Sequence, residues 1–282
     1  MFEQIRKVQP RQLYVAADGP RPGNEEDQGK CREARDVVMS MIDWDCEVKT
    51  LFRETNLGCK VAVSEGIDWF FSHVEEGIIL EDDTFPDLSF FRYCETMLDF
   101  YRDSDNVMMI SGYNICETWK ADKQGYHGSY FGAVWGWATW AKSWKGYDVN
   151  IRSWGSDKVK SIMLRTYFKS YETSRMALYD QLYSGQIDTW DLQWTFHRLL
   201  NNGLSIVPAR NLVKNIGFGD RATHTVDVPS WNIDNIYAFQ EFESLGHLEP
   251  DQIYDSHHLM KTAAKNKKTL SKVFQRILNP FI

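Results

Sequence analysis

The sequence predicts an α/β protein, a mixed sheet flanked by helices in a single two-lobed domain with a basic tail. Two observations carry that prediction. Over the first 112 residues, short apolar runs alternate with segments of helical period. The polar residues that interrupt this alternation fall just past the ends of the predicted strands, where open α/β sheets bind ligands. At 282 residues the chain can bury a substantial core, and no Pro/Gly/Ser-rich linker divides it.

The first run, Leu13 to Ala17, reads as a strand stopped by Asp18-Gly19-Pro20. A helix follows, with Cys31, Ala34, Val38 and Met41 at three- and four-residue spacing. A second strand runs from Val48 to Phe52 and ends at Arg53. Asn56 is placed to cap the next helix, whose apolar face includes Val63, Ile67, Phe70 and Phe71. Gly77 to Leu80 is a short buried strand running into Glu81-Asp82-Asp83. Asp87 can cap a helix that turns Phe90, Phe91, Cys94, Met97 and Leu98 inward, and Val107 to Ile110 is a further strand. Residues 1–112 are therefore read as a ligand-binding lobe. From 113 to 250 the pattern loosens into aromatic-rich loops and a few helices, the clearest from Asp157 to Leu182, and this stretch is read as an acceptor lobe built on the first.

Composition narrows the function. A net charge of −7 argues against nucleic acid as a partner, which requires a broad basic face. Five cysteines without a C-x-x-C pair read as reduced thiols. With no secretory signal and no apolar run of membrane-spanning length, a cytoplasmic location is expected. Tryptophan is unevenly used: eight of the 11 lie between Trp119 and Trp194.

The sharpest chemical signal is Glu81-Asp82-Asp83 at a strand end. Three consecutive carboxylates repel one another unless donors or a cation offset the charge. A hard divalent ion such as Mn²⁺ or Mg²⁺ supplies that offset, using one or two carboxylates and completing its shell with phosphate oxygens and water. A solvated acidic turn is the simpler alternative.

The surrounding motifs favour the metal. Gly77-Ile78-Ile79-Leu80-Glu81-Asp82-Asp83 resembles the acidic motif of GT-A glycosyltransferases. It stands in chain order with Ala16-Ala17-Asp18-Gly19-Pro20, Arg53-Glu54-Thr55-Asn56-Leu57-Gly58 and Trp135-Gly136-Trp137. Together these resemble the nucleotide-diphospho-sugar transferases distantly similar to N-acetylglucosaminyltransferase I, over about residues 12 to 226. The resemblance implies a GT-A fold, a nucleotide-sugar donor with UDP favoured, and a glycan or lipid-linked acceptor. It assigns donor binding to Asp18 at the base or ribose, Arg53 at the diphosphate, Asn56, and Glu81 and Asp82, with Asp83 as metal ligand. In that fold a strand normally precedes the helix seen here at Phe2 to Val8, so a departure in the nucleotide pocket is expected.

Aromatic and polar residues further along extend the site. Indole faces stack on sugar rings, and Gly132 and Gly136 permit close approach, so Trp135, Gly136, Trp137 and Trp190 are candidates for the sugar and acceptor pocket, with Trp140 and Trp144 assigned to the core. In Asp188-Thr189-Trp190-Asp191-Leu192, Asp191 is the candidate general base of an inverting transfer, and Asp188 is the second choice. An ordinary helix start is the competing reading of Asp191. The Gly-rich stretch Asn215 to Thr225 would close over the donor, with Arg221 on phosphate and His224 on the metal or the diphosphate.

The expected activity is metal-dependent transfer of a sugar to a hydroxyl acceptor. A sugar nucleotidyltransferase and a non-catalytic carbohydrate-binding protein are the alternatives. The segment 251–282 is a basic tail: from Lys261 it holds six basic residues and no acid. As a helix it would set Leu270, Val273, Phe274 and Ile277 against Lys267, Lys268, Lys272 and Arg276, the form of an interfacial helix at an anionic membrane surface.

Overall fold

The computed structural model describes residues 1–168, 171–218, 232–240 and 246–262. Helix α1 (Phe2–Val8) leads into β1 (Gln12–Ala17), α2 (Glu25–Ser40) and β2 (Glu47–Phe52). Strands β1 and β2 pair in parallel, with Gln12 opposite Glu47 and Ala17 opposite Phe52. Then come α3 (Gly58–Phe71), β3 (Glu76–Ile79), β4 (Thr84–Pro86), α4 (Ser89–Phe100) and β5 (Val107–Ser111). These reproduce the alternation read from the sequence.

The second half contributes β6 (Tyr126–Ser129), β7 (Trp137–Trp140), the short α5 (Ala141–Trp144) and a 3-10 turn at Arg152–Gly155. It continues with α6 (Asp157–Tyr167), α7 (Glu172–Tyr183), α8 (Asp191–Leu200), β8 (Leu204–Pro208) and β9 (Val213–Asn215). A final helix, α9, covers residues 252–262.

The central sheet has the order β3-β7-β5-β8-β6, with β5 and β8 parallel and the other neighbours antiparallel. A division at residue 112 thus runs through one sheet, because β7, β8 and β6 from the second half interleave with β3 and β5 from the first. Every residue of β6, β7 and β8 is buried. A strand covered on both faces shows no polar alternation, so Trp137-Ala138-Thr139-Trp140 reads in sequence as aromatic loop. The architecture is α/β, with a mixed central sheet flanked by helices.

Three clusters form the core beside this sheet. Phe90, Cys94 and Met97 of α4 pack on Val107, Ile110 and Ile206, as the helical spacing requires. Trp154, Met163, Leu164, Tyr179 and Phe196 join the 3-10 turn, α6, α7 and α8. Trp137, Trp144, Trp190 and Trp194 form the third with Ile67 and Met109. A fully buried large apolar side chain contributes about 1.5–3 kcal/mol, so all three clusters help hold the helices to the sheet. The β1–α2–β2 unit differs: α2 has no buried residue, although the spacing of Cys31, Ala34, Val38 and Met41 predicts a covered face.

No helix among the described residues is long and apolar enough to cross a membrane. The interfacial helix expected after Thr262, and with it Leu270, Val273, Phe274 and Ile277, lies outside the described residues.

Candidate active site at the acidic turn

The acidic turn is positioned by β3 on one side and β4 on the other. Strand β3 delivers Leu80 and Glu81 from the central sheet, and Thr84 closes the turn, its amide and hydroxyl both donating to the Glu81 carbonyl at 3.1 and 2.7 Å. Strand β4 then pairs antiparallel with β9, setting Thr84 opposite Asn215. That short ribbon brings the Asn215-Ile216-Gly217-Phe218 segment against the turn from far along the chain. Ile216 donates its amide to the Asp83 carbonyl at 2.7 Å.

Asp83 is held by this crossing. The Asn215 side-chain amide donates to Asp83 Oδ2 at 3.0 Å, and Asn215 Oδ1 accepts from the Gly217 amide at 2.8 Å. A Cβ on Gly217 would stand 2.5 Å from Asp83 Oδ2, so only glycine lets the backbone approach so closely. The second oxygen, Asp83 Oδ1, is buried without a hydrogen-bond partner. Burial comes first in raising the Asp83 carboxyl above its ordinary range, while Asn215 opposes the shift. A buried carboxylate with one oxygen fixed and the other unpartnered is costly alone and suited to a cation.

Glu81 lies deeper. Burial, then the charges of Asp83, Asp191 and Asp82 in that order, push its carboxyl up to about 8. The structure therefore brings Asp191, 110 positions further along the sequence, into electrostatic contact with the acidic turn. Asp191 is the first residue of α8 and accepts a hydrogen bond from the Thr189 hydroxyl. The helix-start reading of Asp191 is thus correct as geometry, and it coexists with a place beside Glu81.

The N-terminus of α3 lies within electrostatic reach of these carboxylates, as the upward shift of the Cys59 thiol in its first turn shows. Asp18 accepts from the amides of Gly19, Leu57 and Gly58 and from the Asn56 side chain, at 2.8 to 3.1 Å. Asp188 accepts from the Lys60 amide at 3.2 Å. Two carboxylates therefore cap this helix and offset its dipole. Asn56 is not the cap: the residue before α3 is Leu57, and Asn56 instead ties Asp18 to the Gly19 carbonyl. Cys59, in the first turn, registers the whole assembly. Burial first, then Glu81, Asp188, Asp191 and Asp18, push its thiol up to about 11. Sequence reading did not single out Cys59, Asn215 or Thr189, because their places follow from contacts made across the chain.

The aromatic candidates separate. Trp135 is half-buried and meets Tyr113 and Phe218 edge-on, with ring centroids 4.7 and 5.6 Å apart, beside the segment that holds Asp83. Trp137 and Trp190 do not line a pocket. They are 0% and 2% exposed, and they stack on each other at 5.8 Å with Trp194 behind, so their faces are filled by protein. Gly136 likewise serves the core: its φ is +63°, and a Cβ there would meet Val213 at 2.9 Å.

Arg53 has a carboxylate partner within the protein. Its guanidinium pairs with Glu65 at 2.7 Å and lines a cleft beside α2 that none of Glu81, Asp82 and Asp83 reaches. Asp82 is exposed at the tip of the turn. Arg221 and His224 lie outside the described residues.

No family model matches the chain, and no curated protein is significantly similar to it. The site must be read on its own chemistry.

Among the described residues, no three His, Cys, Asp or Glu side chains converge closely enough to enclose a metal ion by themselves. A Mn²⁺ or Mg²⁺ ion that works on a diphosphate does not need such a cage. It takes one or two carboxylates at about 2.1 Å and leaves the remaining positions to phosphate and water. The partnerless Asp83 Oδ1, with Glu81 behind it, fits that demand.

Proposed function

We propose that the chain is a metal-dependent glycosyltransferase of GT-A type, moving a sugar with inversion from a nucleotide diphosphate sugar to a hydroxyl acceptor. The observation that most supports this reading is the half-satisfied Asp83 carboxylate, with Glu81 in the same turn and Asp191, from far along the sequence, within electrostatic reach of Glu81. A divalent cation bound there would offset the negative charge that develops on the departing diphosphate.

The protein's own part is to hold that charge and to move one proton. Asp83 would hold the cation through its partnerless Oδ1, while Asn215 fixes its other oxygen. With its carboxyl pushed up to about 8, Glu81 favours the neutral form at pH 7, and a bound cation would favour its ionised form. The acceptor oxygen attacks the anomeric carbon as the bond to the donor phosphate breaks, leaving its electron pair on the diphosphate. Asp191 accepts the hydroxyl proton, with Thr189 orienting its carboxylate. Trp135 offers a half-exposed ring edge beside the sugar. Because the Asp18 carboxylate is occupied by four donors, its part is to hold the strand ends and α3 together, and the donor base meets the loop that it ties.

A donor screen tests this. The full chain is incubated with UDP-, GDP- and CMP-sugars, with Mn²⁺ or with chelator, and release of the free nucleotide is measured. Metal-dependent release from at least one donor, abolished in Asp83→Ala, is expected. Equal release in chelator, or none from any donor together with no metal-dependent donor binding, would refute the proposal.

A further inference from the structure

A second cleft lies between α2 and the end of β2, with a volume of about 390 Å³. That is within the range of small-molecule sites. Its walls include Cys31, Arg32, Arg35 and Met39 from α2, and Phe52 and Arg53 from the end of β2.

Three guanidinium groups gather in one cleft, and what they offer a ligand is forked N–H donors and not a net charge. Arg35 lies over the Phe52 ring at 5.0 Å, and its Nη2 donates to the carbonyls of Asp18 and Arg53 at 3.0 and 2.7 Å. This fixes the group, yet its Nε is buried with no hydrogen-bond partner. Arg53 is paired with Glu65, and Arg32 is exposed. Asp36 and Glu54 also line the cleft, so with Glu65 on Arg53 the three arginines are matched by three acids and the lining carries no net charge. A bare anion gains little from such a mixed lining. One carried on an organic body gains more, because Phe52, Met39 and Cys31 supply an apolar wall and the planar guanidinium groups supply forked donors for phosphate oxygens.

We infer that this cleft is a metal-independent binding site for a small phosphate monoester carrying an aromatic or apolar body, separate from the acidic site. The inference does not rest on the glycosyltransferase reading. The site stands behind the strand ends that carry Asp18, because Arg35 bonds the carbonyls of both Asp18 and Arg53. A ligand there would bear on the loop that closes the N-terminus of α3.

The test uses Cys31 as a reporter. The full chain, in chelator, is alkylated with iodoacetamide over a series of phenyl phosphate concentrations, and modification is followed peptide by peptide by mass spectrometry. Cys46, which does not line the cleft, is the internal control. Phenyl phosphate should saturably slow alkylation of Cys31 and leave Cys46 unchanged, whereas phenol should do neither. Arg32→Glu, at an exposed position that leaves the fold intact, should raise the concentration needed by about tenfold, the loss expected for one charge-assisted contact. Absence of protection, equal protection by phenol, or an unchanged requirement in Arg32→Glu would overturn the inference. Protection that needs Mn²⁺ and disappears in Asp83→Ala would place the ligand at the acidic site and overturn it equally, without touching the donor reading.

Discussion

Glu81→Gln isolates the cost of gathering carboxylates at the end of β3. In the unfolded chain this group titrates near 4.5, and in the folded protein burial and its acidic neighbours push it up to about 8. The native state therefore holds the proton more tightly than the unfolded state does. Stability associated with Glu81 is fully present below pH 4.5 and is lost as pH rises through about 8. Integrated over that window, the loss is at most about 5 kcal/mol, a large share of the stability of a typical domain. Buried histidines act in the opposite direction. Burial lowers His127 to about 4 and His258 to about 3, so their contribution rises with pH through the ordinary histidine range. The difference between wild type and variant, measured by urea denaturation at steps from pH 4.5 to 8.5 in chelator, cancels the histidines. Glu81→Gln should become progressively more stable than wild type as pH rises, and saturating Mn²⁺ should shrink the difference by binding the ionised cluster. Parallel profiles for the two proteins in chelator would refute the assignment of a shared, metal-compensated charge at this turn.

Asp83→Ala should abolish Mn²⁺-dependent donor binding in calorimetry while leaving the circular dichroism spectrum unchanged. Asp191→Asn should lower kcat by about 10²-fold or more with donor affinity retained, because an amide cannot accept the acceptor's proton; a product that keeps the donor's anomeric configuration would exclude an inverting base. Asn215→Ala should weaken the Mn²⁺ response about tenfold or more by freeing Asp83, the size typical of losing a residue that orients a metal ligand, whereas Asn215→Asp should strengthen metal binding and lower stability in chelator. Trp137→Ala should destabilise the fold by about 3–5 kcal/mol in denaturant unfolding, in line with removal of a large buried aromatic.

The alternation of strands and helices was legible up to β5 because those elements are bounded by turn signals and the helices between the strands keep their period. Leu13 to Ala17, Val48 to Phe52 and Gly77 to Leu80 all match observed strands to within a residue. Beyond Gly112 the signal failed where aromatic and glycine residues blur the turn boundaries. Strands β6, β7 and β8 are buried on both faces, and periodicity cannot separate such a strand from an aromatic loop. The same physics decided the tryptophans: Trp135 and Trp137 stand two residues apart and look alike in sequence, but Trp137 lies within the central sheet while Trp135 precedes its edge.

Site residues were legible where the local sequence alone creates the electrostatic cost. Three adjacent carboxylates must be accounted for wherever they occur, so Glu81-Asp82-Asp83 announces itself. Asp18 and Arg53 carry no such demand, and each found a protein partner: Asp18 the open amides of α3, Arg53 the carboxylate of Glu65. What remained invisible was the crossing of β4 and β9. It fixes Asp83 through Asn215 and excludes any side chain at position 217, yet it joins residues more than 130 positions apart. A strand of three residues has no periodicity to read. The half-satisfied Asp83 carboxylate is therefore a property of the fold, and the proposed cation is what would offset its cost.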